Sequence, residues 1–206
     1  MEHIILDHPF TMLISGPTGS GKTTWLLNLI KLKASHPKPK YIFYFYGEYQ
    51  PVFDLIKGVK FIHGLRTDII QKIRGAPSWV IIDDLMSDAS NSQAISDLFT
   101  KGSHHRNISV ILLIQNFFIQ GKQMRNISLN SHYIVLFKNP RDKTVARNIA
   151  RQMYPNKTIA FQQAFEDATN TPHSYLFIDL KAQTQENRRL LTNVLNEKGV
   201  IFSYLI

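Results

Sequence analysis

The sequence predicts an α/β fold with a mostly parallel central sheet flanked by helices. Three observations predict it. Short apolar runs recur along the 206 residues and are near-continuous rather than alternating, as in strands covered on both faces. Longer amphipathic stretches separate these runs, which is the βαβ rhythm. The first run feeds a glycine-rich turn that opens directly into a helical pattern.

The runs at residues 12–14, 41–46, 79–82, 108–114, 133–137 and 175–178 are the predicted strands, most of them bounded by Gly, Pro, Asn or Asp. Helical patterns cover residues 22–33, 68–74, 92–101, 141–154 and 187–196. Residues 36–40, His-Pro-Lys-Pro-Lys, read as a loop feeding the second strand, and 116–131 as a long polar loop. A chain of this length buries one sizeable core, so residues 1–206 are expected to form one domain.

Composition narrows the function classes. With 44% hydrophobic and 19% charged residues the chain is globular rather than disordered. The absence of cysteine excludes disulfides and every cysteine-based zinc or redox site, and it fits a reducing compartment, cytoplasm or nucleus. No apolar run approaches the ~18–20 residues of a membrane span, so stable membrane insertion is not expected. The first residues carry acids and no cleavage pattern, so secretion is not expected. A formal net charge of +9 favours polyanionic partners. Its basic residues are scattered, so a binding face must be assembled by folding or oligomerisation.

Residues 16–23 complete the pattern G-x-x-x-x-G-K-T between a predicted strand and a predicted helix. Gly16, Gly19 and Gly21 let the backbone wrap tightly and aim N–H groups at phosphate oxygens, with Pro17, Thr18 and Ser20 between them. The helix N-terminus, through Lys22, Thr23 and Thr24, adds its positive end. Lys22 is suited to the β- and γ-phosphates, and the Thr23 hydroxyl to Mg²⁺. The expected ligand is therefore ATP with Mg²⁺.

An acidic pair ends the run at 79–82. Asp83 is assigned to Mg²⁺, through water, and Asp84 to the attacking water; alternation along a strand sends the two side chains to opposite faces. Gln115 follows the run 108–114, where ligands bind in open α/β sheets, and is a candidate γ-phosphate sensor. A ring-forming motor often lends an arginine to its neighbour's γ-phosphate. Arg106 is the first candidate for that role, with Arg125 and Arg141 as others. His104 and His105 lack a third ligand nearby and read as surface or interface residues.

These residues together resemble the FtsK/HerA-type packaging ATPases of double-stranded DNA viruses and of virus-like Polinton/Maverick transposons and adintoviruses. The resemblance rests on residues 16–23, on Ile-Ile-Asp-Asp-Leu at 81–85, and on Ser-His-His-Arg-Asn-Ile-Ser-Val at 103–110 running on to Gln115-Asn116. Asn-Pro-Arg-Asp within 137–142, Ala-Arg-Gln-Met-Tyr-Pro at 150–155 and residues 175–181 extend it over nearly the whole chain. It implies a RecA/FtsK-HerA-like P-loop NTPase that translocates double-stranded DNA into a preformed capsid. The implied assembly is a homo-oligomeric ring, pentamer or hexamer, at a viral capsid or portal vertex. The implied location is the host nucleus or cytoplasm, with assembling virions. Asp83-Asp84 departs from the Asp-Glu of cellular relatives, so water positioning must differ by the length of a methylene. Lys122, Arg125, Lys138 and Arg141 are the basic residues expected near the pore, where phosphate contacts must hold DNA without reading it. A small-molecule P-loop kinase and a nucleotide-switched binding module are the competing readings.

Overall fold

The computed structural model describes residues 3–117, 121–195 and 199–206, with only the backbone of His104. In chain order the elements begin with β1 (Leu6–Asp7), β2 (Thr11–Ser15), α1 (Lys22–Leu32), β3 (Ser35–His36) and β4 (Tyr41–Tyr46). There follow β5 (Lys60–His63), α2 (Thr67–Ile70), β6 (Ser78–Asp83), α3 (Met86–Asn91), α4 (Gln93–Asp97) and α5 (Ser103–Arg106). The second half holds β7 (Ile108–Ile114), α6 (Met124–Leu129), β8 (Tyr133–Phe137), α7 (Thr144–Met153), α8 (Thr158–Ala168), β9 (Tyr175–Asp179), β10 (Leu190–Thr192) and β11 (Phe202–Ser203).

Nine strands form one sheet in the order β11-β10-β9-β8-β2-β7-β6-β4-β5. The six strands from β8 to β5 are parallel, and β9, β10 and β11 add an antiparallel edge. The central strands β2, β6, β7 and β8 are buried at every position, which is why their sequences run apolar without alternation. Side-chain period two divides them between two cores. Leu13, Val80, Ile82, Val110, Leu112 and Leu136 pack on one face with Ile149 of α7 and Phe161 of α8. Met12, Ile14, Ile81, Ile111, Leu113 and Val135 pack on the other with Trp25, Leu26 and Leu29 of α1. Each large side chain so buried contributes roughly 1.5–3 kcal/mol of transfer free energy.

Three expectations are corrected. The helix predicted over 187–196 is a 3₁₀ turn, Glu186–Arg188, followed by β10; its last residue, Asn196, lies outside the described residues. Leu190 and Leu191 pair with Ile178 and Phe177, so burial at the sheet edge overrides local helical pattern. The loop predicted over 116–131, of which 118–120 lie outside the described residues, holds α6, whose Met124 and Ile127 face the core. The helix predicted over 68–74 stops after one turn, at Ile70. In contrast α4 starts where its sequence says, with the Ser92 hydroxyl accepting from the Ile95 N–H.

Candidate active site

Parallel strands deliver their loops to one edge, and every strand-end residue singled out by sequence is found there except one. The loop after β2, residues 16–21, turns into α1 through Gly21 at φ 105, a left-handed conformation that a side chain would strain. Gly16 is required for a different reason. A Cβ there would lie 2.7 Å from both Phe137 Cβ and Ser20 Oγ. The Lys22 ammonium donates to the carbonyls of Gly16 (2.6 Å) and Pro17 (3.0 Å), which seats it across the mouth of the loop. Burial pulls its pKa below the ordinary lysine value, and the charges of Asp83 and Asp84 counter part of that fall. Thr23 and Thr24 occupy the next two positions of α1.

Asp83 ends β6 on the same face as Ile81, the face covered by α1, and is buried. Burial raises its pKa above the usual carboxylate range, opposed by a hydrogen bond from Tyr44 and by the Lys22 charge. Tyr44 Oη donates to Asp83 Oδ2 at 2.6 Å. Burial and the neighbouring carboxylate push this phenol far above its normal value. The two aspartates are separated by the end of the strand rather than by simple alternation. Asp84 steps out of β6 at φ 55 and is exposed.

The strand β7 lies between β2 and β6, so Gln115 leaves the sheet between the phosphate loop and the acidic pair. Its Nε2 is 3.4 Å from Asp84 Oδ1. On its other side it lines a narrow cleft with Ser15, Gly16 and Asn139. One edge thus collects Gly16, Pro17, Thr18, Gly19, Ser20, Gly21, Lys22, Thr23, Thr24, Asp83, Asp84 and Gln115.

Arg106 is the exception. It precedes β7, whereas Gln115 follows it, and seven residues of strand separate the two by roughly 20 Å. It belongs to the opposite edge of the sheet from its own phosphate loop. The neighbouring Asn107, at φ 61, has a structural role: its amide donates to the Gly75 carbonyl (2.8 Å) and its Oδ1 meets His8 Nε2 (2.9 Å). His105 is exposed.

The donor set fits a magnesium nucleotide. Thr23 and Asp83 offer hard oxygen ligands of the kind Mg²⁺ takes alongside phosphate. Among the described residues the buried Ser20 Oγ has no hydrogen-bond partner, a polar atom in the loop with its hydrogen-bonding capacity unused. Sequence reasoning missed three neighbours of this site. Tyr44 and Gly47 sit in or just after an aromatic strand that reads as plain core. His173, at φ 64, places its Cβ 3.2 Å from where a Gly21 Cβ would be. With Tyr175, Asn28 and Thr24 it borders a cavity of about 410 Å³ beside the phosphate loop.

Comparison with known proteins bears on the fold. The profile of a family described as Poxvirus A32 protein matches residues 2–57, which hold β2, the phosphate loop, α1 and β4. A search of curated proteins finds no significant match. Among solved structures, the genome packaging NTPase B204 from Sulfolobus turreted icosahedral virus 2, in complex with ATP-gammaS, superposes with a TM-score of 0.57. It shares 17% identity over 85% of this chain and 94% of its own. B204 from Sulfolobus Turreted Icosahedral Virus gives a TM-score of 0.58 at 15% identity, over 85% of this chain and 95% of its own. The cytoplasmic domain of the Type VII Secretion ATPase EccC from Thermomonospora curvata gives 0.54 at 13% identity, over 85% of this chain and 24% of its own. The fold is therefore α/β with a mostly parallel central sheet, the fold of these solved structures, as the sequence predicts.

Proposed function

We propose that this chain is an Mg²⁺-dependent ATPase that drives double-stranded DNA into a preformed capsid as one subunit of a ring. The observation that carries the reading is the place of β7, which sets Gln115 between the phosphate loop and Asp84. A side chain placed between them can report whether a γ-phosphate is present. The profile match to the Poxvirus A32 protein and the likeness to the packaging NTPase B204 support the same function.

In this scheme the backbone N–H groups of 16–21 and the start of α1 bind the phosphates, and Lys22 neutralises charge on the β- and γ-groups. Thr23 and Asp83 would hold Mg²⁺, directly or through water. When bound, Mg²⁺ supplies further neutralisation of the phosphoryl oxygens. Asp84, exposed at the mouth of the site, orients the attacking water and accepts its proton. Arg106 is too far from its own phosphate loop to act there, and the proposal gives it a role in trans, at the γ-phosphate of a neighbouring subunit.

Beyond Gln115 the chain, described again from residue 121, lies against α3 and α4. There Gln123 bonds to Ser90 O (2.9 Å) and Gln93 Oε1 (2.8 Å), beside exposed Lys122 and Arg125. Exposed Lys138 and Arg141 follow β8 at the nucleotide edge. These four cations are the proposed grips on DNA phosphates, sensitive to sequence only through backbone shape. The capsid or portal vertex is the proposed docking partner, within assembling virions in the host nucleus or cytoplasm. A kinase needs an acceptor pocket beyond the γ-phosphate, whereas in this scheme Gln115 and Asp84 present groups suited to water there. A nucleotide-switched module needs no such pair.

Triplex displacement tests the reading. The assembled protein with Mg²⁺ and ATP should strip a third strand from a long duplex, and Asp84→Asn should not. A ring that hydrolyses ATP on DNA yet leaves the third strand in place would remove DNA transport from the account.

A further inference from the structure

The acidic pair is braced from the neighbouring strand. The β4–β6 register sets Tyr44 opposite Ile81 and Tyr46 opposite Asp83. Tyr44 and Asp83 are 0% and 7% exposed, and the Tyr44 hydroxyl reaches Asp83 Oδ2 at 2.6 Å. The Tyr44 ring is held in turn by Phe53 and Phe61, each with its centroid 5.1 Å away. Just past β4, the Gly47 N–H donates to the Asp83 carbonyl (3.1 Å). The Asp84 carbonyl packs where a Gly47 Cβ would stand, 2.3 Å from it. Residues 44–47 therefore bear on the Asp83 carboxylate, on its carbonyl and on the turn of Asp84.

We propose that Tyr44 is the positioning residue of the cation-bearing carboxylate: its hydroxyl holds Asp83 Oδ2 and leaves Oδ1 for Mg²⁺ or its water. The inference rests on the reading of Asp83 as the metal carboxylate. A carboxylate has two equivalent oxygens and a freely turning terminal torsion. A buried donor in a fixed ring, acting with the backbone N–H of Asp84 that also supports the carboxylate, breaks that equivalence and selects a single orientation. A phenylalanine at 44 would pack on Phe53 and Phe61 equally well, so the hydroxyl acts on Asp83 rather than on the core.

The test is Tyr44→Phe in the full chain, read by calorimetric binding of ATPγS in EDTA and across a Mg²⁺ series. Metal-free binding should match the parent, because the phosphate loop is untouched. The Mg²⁺ concentration at half-effect should rise about tenfold or more, the usual cost of losing a partner that orients a ligand. In an Asp83→Asn background, Tyr44→Phe should add nothing to that midpoint. An unchanged Mg²⁺ midpoint in folded Tyr44→Phe, or a full additional shift in the Asp83→Asn background, would overturn the proposal. A parent chain whose ATPγS binding ignores Mg²⁺ would instead sink the ATP-site reading on which it rests.

Discussion

Replacing Gly47 by alanine should uncouple hydrolysis from nucleotide binding. Gly47 does not require a left-handed backbone, so alanine's only effect is its Cβ. That atom would lie 2.3 Å from the Asp84 carbonyl oxygen and 3.1 Å from its carbon, where ordinary contact begins at 3.4 Å. The obstacle is backbone, so Asp84 must retreat by about 1 Å. A reacting group displaced by about 1 Å can cost roughly 100-fold in rate, or about 2.7 kcal/mol. Overpacking of this kind costs roughly 1–3 kcal/mol of stability. Steady-state hydrolysis should fall about 100-fold while ATPγS affinity stays near the parent's, since residues 16–24 are untouched. Gly58→Ala is the control: Gly58 sits at φ 78 with no atom near its Cβ position, far from the site in sequence. It should lose about 1 kcal/mol of stability from backbone strain and keep the parent rate. A folded Gly47→Ala protein that hydrolyses ATP normally would refute the assignment of Asp84 to the water.

Other expectations follow from single residues. Gly16→Ala presses on Phe137 and Ser20 at 2.7 Å and should abolish nucleotide binding, measured by calorimetry, in a protein that still folds. Arg106→Ala should leave ATPγS binding by the isolated chain unchanged and lower kcat of the assembled ring by 10³-fold or so, the usual scale for an arginine acting in trans. His8 supplies a pH test. Burial depresses its pKa below 6.5, against weaker support from its bonds to Asn107. The unfolded chain therefore binds this proton more readily, so the stability His8 contributes is present above about pH 6.5 and is lost as pH falls through the lower folded value. Melting temperature should drop between pH 7 and 5, and His8→Gln should flatten that part of the slope.

Much of this architecture was legible because parallel strands buried on both faces have no polar positions to obscure them. Residues 41–46, 108–114 and 133–137 are bounded in the structure where their sequence bounds them. The edges were not legible. In β5 the two middle residues are half-buried between exposed ends, and β10 is three residues long, too short for either period to declare itself. Helix α8 has a weak signature in the sequence because its buried residues include Ala164 and Ala168, which carry little apolar signal beside Phe161. The phosphate loop, the acidic pair and Gln115 were found from sequence because each follows a strong run at a strand end. The Tyr44 hydroxyl was not, because in Tyr-Ile-Phe-Tyr-Phe-Tyr every position reads as core, and its partner lies across the sheet, 39 residues away. Gly47 is invisible for the same reason: what forbids its side chain is backbone just past the end of another strand.

The central claim is that ATP turnover at the phosphate loop is coupled to double-stranded DNA. It is tested most directly by measuring ATP hydrolysis with and without long duplex, beside Lys22→Ala. The account predicts strong stimulation by DNA that disappears in the variant. Full hydrolysis by Lys22→Ala would contradict the site, and hydrolysis by an assembled ring that is indifferent to DNA would contradict the cargo.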